Sequence, residues 1–226
     1  MPVTTERGVA VDRPIVAIHT VGAFQENTYL LTDPNAGVSV YIDPGAEPDR
    51  LIAAVEQSRT SLQAIWLTHA HLDHVGAIAG LKRQWNVPVF LHPLDEPLYA
   101  RASRQAELYG IALEQPPPAD RALGDGDVLH VGRLRFDVMH APGHAPGHVV
   151  IHGHGVAFVG DCLFAGSIGR TDLPMSNPKD LASSLDRIVA LPEETIVYSG
   201  HGPATTIGME LRSNPFLTGA ARIVGA

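Results

Sequence analysis

Residues Thr68-His69-Ala70-His71-Leu72-Asp73-His74 place three imidazoles and a carboxylate in six consecutive positions, directly behind the apolar run Ala64-Ile65-Trp66-Leu67. Neutral imidazole nitrogens and carboxylate oxygens together make a donor set for zinc, iron or manganese. Without a cation, groups packed this densely repel one another in acid and are poorly satisfied when buried. Residues of the same types recur farther along, each in a tight turn: Ala141-Pro142-Gly143-His144, Gly160-Asp161 and Gly200-His201-Gly202-Pro203. Glycine and proline in such turns let backbone crowd a bound ion.

Donors so far apart in the chain need a scaffold to bring them together, and the apolar pattern describes one. Runs at 29–31 and 38–42, each ended by an Asp-Pro pair, read as strands of a hairpin. Leu51, Ile52 and Val55 lie at helical spacing and predict a helix over 49–56, followed by a strand over 64–67. A helix over 77–84 and a strand over 87–91 come next, then a longer helix over 95–108 opened by Asp95-Glu96-Pro97. The Pro-rich Gln115-Pro116-Pro117-Pro118 is a stiff connection. Beyond the turn Gly124-Asp125-Gly126-Asp127, runs at 128–131, 134–139, 149–152 and 156–159 predict an antiparallel series. Asn177-Pro178 opens a helix to about residue 190, and a strand over 195–198 and a helix over 207–212 follow. Such alternation predicts sheets at the centre and helices outside. The histidine motif, His144, Asp161 and His201 each follow a predicted strand. Because sites gather where strands end in loops, the four strand ends are expected to converge.

Composition bounds the rest. The chain's 226 residues, 45% of them hydrophobic, predict a single domain over 1–226 with a substantial core. Sixteen basic against 24 acidic residues give a net charge of −8, which offers no footprint for nucleic acid or an anionic membrane and favours a small-molecule partner. The start, Met1 to Asp12, carries Glu6, Arg7 and Asp12 and no apolar core of signal-peptide length, and no later run is long enough to span a membrane. A cytoplasmic protein is expected. The lone Cys162 excludes an intramolecular disulfide and reads as a small buried hydrophobe.

Read together, Thr-His-Ala-His-Leu-Asp-His at 68–74, Pro-Gly-His at 142–144, Gly-Asp at 160–161 and Gly-His-Gly at 200–202 resemble the metallo-β-lactamase superfamily, in its order and over nearly the whole chain. Within it, Gly160-Asp161-Cys162-Leu163-Phe164 leading into the glycine-containing segment 166–172, with Thr206-Ile207-Gly208 and Asn214-Pro215-Phe216 near the end, is most similar to the short glyoxalase II-like hydrolases. The resemblance implies an α/β fold of the αβ/βα four-layer sandwich type, with two mixed central sheets and helices on the outer faces. It also implies two divalent metal ions, zinc first and iron or manganese as the other choices. His69, His71 and His144 would hold one ion, Asp73, His74 and His201 the other, and Asp161 would bridge them, with Asp73 also the catalytic carboxylate. The implied reaction is hydrolysis of a thioester of the hydroxyacylglutathione type by a hydroxide shared between the metals. A departing thiolate, with a free thiol pKa of about 8.5, needs little help from a general acid.

Other residues carry weaker expectations. Arg170, in the loop after Asp161, is the candidate for gripping an anionic part of the substrate, against a surface ion pair with Asp172. Asp43, in Asp43-Pro44-Gly45, reads equally as a turn former and as a carboxylate that orients the histidine loop. His140 and His148 bracket His144 and read as supports. His19, His92, His130, His152 and His154 are assigned to structure or surface. Two-domain glyoxalase II enzymes hold glutathione with a helical C-terminal extension, whereas here 25 residues follow His201. No such extension is expected, and the thiol carrier is glutathione or another small thiol. The alternative within the superfamily is a persulfide dioxygenase with one iron at His69, His144 and Asp161, and a lactonase ranks below it.

Overall fold

A computed structural model describes residues 13–225; the charged start on which the cytoplasmic expectation rests lies outside the described residues. Two mixed sheets form the centre. The first runs in chain order: β1 (Ile15–Val21), β2 (Glu26–Asp33), β3 (Val38–Ile42), β4 (Ser61–Trp66), β5 (Val89–Leu91) and β6 (Arg121–Ala122). It is antiparallel from β1 to β3 and parallel from β3 to β6. The second contains β7 (Val128–Val131), β8 (Leu134–His140), β9 (Val149–Gly153) and β10 (Val156–Gly160). A small hairpin of β11 (Leu163–Phe164) and β12 (Ser167–Ile168) follows, and β13 (Ile196–Ser199) and β14 (Thr205–Thr206) complete the second sheet in the order β14-β13-β10-β9-β8-β7. Its one parallel pair is β10 with β13.

Strand periodicity sorts the side chains into three apolar layers. Tyr29, Leu31, Val40, Ile42, Ala64 and Trp66 point from the first sheet toward Phe136, Val149, Ile151 and Phe158 of the second. Their chain neighbours Leu30, Tyr41, Ile65 and Leu67 point the other way, into a layer closed by helices α1 (Pro48–Ser58) and α3 (Ile78–Gln84) and the segment around α4 (Glu96–Tyr99) and α5 (Ala102–Leu108). On the far side, Val150, Ala157 and Val159 meet α6 (Pro178–Ile188) and α7 (Ile207–Ser213). Helix, sheet, sheet and helix thus stack as the expected αβ/βα sandwich. Asn177 opens α6 with its side-chain oxygen accepting from the Lys179 amide, as its cap sequence predicts.

The structure departs from the sequence reading in three places. The long helix over 95–108 is broken at Ala100 and Arg101, where the carbonyls of Leu98 and Tyr99 accept from the side-chain amides of Gln105 and Gln115. Those side chains compete with the helical ladder and let the chain turn. Strand β1 has no counterpart in the sequence reading, because it lies at a sheet edge and exposes Ile15 and Ile18 at 55% and 47%. The two-residue strands β6, β11, β12 and β14 are too short to leave a periodic signal. Among the described residues, no helix is long and apolar enough to cross a membrane.

Candidate metal centre

The chain turns sharply at the ends of β3 and β4, and those turns build the first half of the site. Asp43, just past β3, adopts a left-handed conformation at φ 49°. Its carboxylate reaches the neighbouring strand end, where Oδ1 accepts from the Thr68 amide at 2.7 Å and Oδ2 from the Thr68 hydroxyl at 2.5 Å. The short helix α2 (Leu72–Val75) starts immediately after His71, so Asp73 and His74 fall within its single turn. His74 then turns its Nδ1 to Asp43 Oδ2 at 3.1 Å, and His69 turns its Nδ1 to the Thr68 hydroxyl at 3.1 Å. One carboxylate orients both rings, one directly and one through Thr68. Of its two readings, Asp43 fulfils both.

The second half comes from three strand ends of the other sheet. His144 follows β8, Asp161 follows β10 and His201 follows β13. Cross-links hold the sheets together here: the Val149 amide donates to Thr68 O at 2.8 Å, the Asn27 amide to Gly200 O at 2.7 Å, and the Tyr29 hydroxyl to Ser199 O at 2.6 Å. Gly200 leaves room for the cluster, since a Cβ there would collide with Asp161 Oδ1 and the His74 ring.

All seven expected ligands lie together. His71 Nδ1 stands 2.9 Å from His144 Nε2, and with His69 these rings form one group of donor atoms within 4.8 Å of one another. Asp73, His74 and His201 form a second group at the same spacing, with His201 Nε2 3.3 Å from Asp73 Oδ2. Asp161 faces both: Oδ2 is 3.6 Å from His144 Nε2 and 3.5 Å from His201 Nε2, while Oδ1 is 3.6 Å from His74 Nε2.

Protonation fits a cation site. Burial, reinforced by the charge at His74, holds the His69 pKa well below its ordinary value and keeps its nitrogen free to ligate. Burial also opposes charge on His74, but Asp161 and Asp73 beside it prevail and hold its pKa well above the ordinary value. His201 behaves alike: burial is outweighed by the Asp161 and Asp73 carboxylates facing its Nε2, which raise it to about 9. For Asp161, burial is outweighed by the charge at His74 and by the nearby nitrogens of His201 and His74, so its carboxyl stays well below the usual range. Positive charge is therefore drawn in between Asp73 and Asp161. The buried atoms His69 Nε2, His74 Nε2 and Asp161 Oδ1 have no hydrogen-bond partner, and all three belong to this cluster. Buried polar atoms are rarely left so unless something else is meant to bind them, and this donor set suits a divalent metal.

Residues outside the motif support it. His148 accepts from the Asp161 amide at Nε2 (3.1 Å), stacks on His69 with centroids 4.8 Å apart, and turns Nδ1 to the buried Cys162 sulfur. His140 instead contacts Pro146 O and stacks on His92, 4.2 Å between centroids, away from the ligands. His144 Nδ1 donates to the backbone carbonyl of Arg170 at 2.9 Å, whereas the Arg170 guanidinium pairs with Asp172. Two buried acids escaped sequence reading. Glu26 lies behind His74, its Oε1 3.8 Å from Nδ1, and burial raises its pKa well above the ordinary value. Asp95 accepts from the Ala70 amide at 2.9 Å and the Gly147 amide at 2.5 Å, tying together the loops that carry His69, His71 and His144. Burial raises its pKa to about 6. Asp95→Asn replaces one acceptor by an NH₂ facing an amide, and is expected to weaken metal affinity by about tenfold in a chelator competition. Unchanged affinity would show that the two loops hold their places without it.

Above the cluster opens a cleft of about 650 Å³, with His71, Asp73, His144, Asp161 and His201 among its lining and mostly apolar walls.

Residues 21–201 match the family model of the metallo-beta-lactamase superfamily. The chain is 40% identical over 212 residues to hydroxyacylglutathione hydrolase GloC of Haemophilus influenzae, covering 89% of this chain and 97% of that protein. Among solved structures, TTHA1623 in a di-iron-bound form is 47% identical with a TM-score of 0.83, covering 89% of this chain and all of the other. ETHE1 from Myxococcus xanthus is 29% identical with a TM-score of 0.76, covering 91% of this chain and 85% of the other.

Proposed function

The chain belongs to the metallo-β-lactamase superfamily, and from that premise we propose that it is a metal-dependent hydrolase of thioesters of the hydroxyacylglutathione type. The observation that carries the reading is Asp161, a single carboxylate within 3.6 Å of nitrogens in both imidazole groups. In this reading His69, His71 and His144 would hold one divalent ion, Asp73, His74 and His201 would hold a second, and Asp161 would serve both. Zinc is the first choice, and iron or manganese suit the same donors. When bound, the ions supply Lewis acidity and a water acidic enough to provide hydroxide at neutral pH.

The chain's own residues do the rest. Asp43 and Thr68 keep the imidazole nitrogens of His74 and His69 aimed inward. Asp73, on the cleft floor beside His201, is placed to hold the proton given up by the attacking water. The apolar walls exclude bulk water and seat the substrate, and a thiolate departs with no need of a strong acid. The −8 net charge and the size of the cleft agree with a small-molecule substrate. The Haemophilus influenzae relative, named for hydroxyacylglutathione hydrolysis, points to the same thioester class.

The test is steady-state release of free thiol from S-lactoylglutathione by protein loaded separately with zinc, iron and manganese. Turnover that a chelator abolishes is expected; no hydrolysis of any thioester by any loaded form would overturn the proposal. A second reading, a persulfide dioxygenase with one iron at His69, His144 and Asp161, is supported by the likeness to ETHE1. Oxygen uptake on glutathione persulfide by the iron-loaded protein, in the absence of thioesterase activity, would replace the first reading with the second.

A further inference from the structure

Away from its floor, the cleft is a receptor of definite chemistry. Leu98, Leu108 and Tyr109 line it on the side of α4 and α5, and Phe164, Ile168 and Met175 face them. The acids in its lining, Asp73 and Asp161, both sit at the floor among the imidazoles. Two arginines are among its lining as well, Arg101 and Arg170, both exposed to solvent. They are not equivalent. Arg170 is held in a two-pronged pair with Asp172, Nε to Oδ1 at 2.6 Å and a terminal nitrogen to Oδ2 at 2.8 Å, so its charge is already matched. Arg101, at the start of α5, has no ion-pair or hydrogen-bond partner for its guanidinium among the described residues. Gln105, one turn further on, spends its amide nitrogen on Leu98 O at 2.9 Å. The upper cleft therefore presents an apolar passage with a single unmatched positive charge, in a protein that is otherwise strongly acidic. An apolar wall gives a peptide-like thiol carrier few partners for its amides, whereas it suits hydrocarbon, and a free guanidinium suits a carboxylate.

We infer that the cleft selects thioesters in which an apolar segment separates the reacting carbonyl from an anionic terminus, and that Arg101 grips that anion. This rests on the hydrolase reading and replaces its glutathione carrier with an apolar one: the specificity group is Arg101, and the Arg170 side chain is a structural partner of Asp172. Hydrolysis of such a thioester adds water across the C–S bond, leaving a carboxylic acid and a free thiol.

The test uses 6-(acetylthio)hexanoate and its methyl ester, which share the apolar arm and differ in charge, with zinc-loaded protein and thiol release as the readout. The wild type is expected to favour the acid by about tenfold in kcat/KM, mainly through KM. In Arg101→Gln that preference falls to about one. Arg104→Gln, on the same helix but outside this cleft, keeps it. An undiminished preference in Arg101→Gln overturns the inference, as does a wild type that hydrolyses both compounds equally. Failure of every loaded form to hydrolyse any thioester counts against the hydrolase reading instead. In that case calorimetric binding of the non-hydrolysable thioether 6-(ethylthio)hexanoate decides about the anchor: affinity about tenfold lower in Arg101→Gln supports it, and equal affinity overturns it.

Discussion

Replacing Asp161 by alanine is expected to lower thioester hydrolysis by about a thousandfold or more and to leave the protein with less than its full metal content. The reason lies in its position. Asp161 faces both imidazole groups, with Oδ2 3.6 Å from His144 of the first and Oδ1 3.6 Å from His74 of the second. In the proposed reading, its removal would take away the carboxylate charge that both cations would share. Asp161→Asn isolates that contribution, since the amide keeps the shape and loses the charge. Elemental analysis of the purified variants beside their kinetics is the measurement. An alanine variant with full metal content and activity within tenfold of wild type would rule out a bridging role.

Metal loading is expected to release protons and to weaken steeply as the pH falls. In the metal-free protein His201 titrates at about 9 against an ordinary 6.5, and His74 is also raised. A cation must therefore displace protons at any pH below about 9, and each displaced proton costs about tenfold in apparent affinity per pH unit. Chelator competition from pH 6 to 8.5 is expected to give a slope between one and two decades per unit, and calorimetry in buffers of differing ionisation heat should register the protons. A flat profile would mean that the metal binds elsewhere. The same shifts set the sign for stability. Histidines whose pKa is raised on folding contribute stability that is complete below about pH 6.5 and lost as the pH rises through 9. The metal-free protein should thus melt lower at pH 9 than at pH 6.5, and the loaded protein, with those nitrogens taken up by metal, should lose this dependence.

The sequence reading reached the centre of this site more readily than its surroundings, for physical reasons. His69, His71, Asp73 and His74 announce themselves because ligating a metal demands particular atoms at close range, and His144, Asp161 and His201 are flagged by the glycines beside them. The central strands were legible because burial on both faces leaves largely apolar runs, as at Val38–Ile42, broken only by Ser39, and Val156–Gly160. Strand β1 was not, since at the sheet edge its isoleucines face solvent and the usual contrast is lost. Asp95 read as a helix start, and it does stand at the head of α4, but its carboxylate is committed to amides 25 and 52 residues away. Glu26 gave no signal, because an isolated acid in a strand looks like a solvated one until the partner sheet covers it. Arg101 is the counterpart: an unremarkable helix arginine in the sequence that becomes distinctive only when Arg170 is seen paired to Asp172. Long-range partnership is what local pattern does not carry.

The two sheets contribute unequally and in order. Four of the seven donors lie at 69–74, behind the first sheet's β4, while the other three follow strands of the second sheet. A chain made from its N-terminus exposes the histidine motif well before residues 144, 161 and 201 exist to complete it. Neither donor group closes until those later strand ends arrive: the first waits for His144, the second for His201. Under the proposed reading, capture of an ion would therefore be a late step that follows docking of the two halves, because a misassembled chain has no complete set of donors to offer.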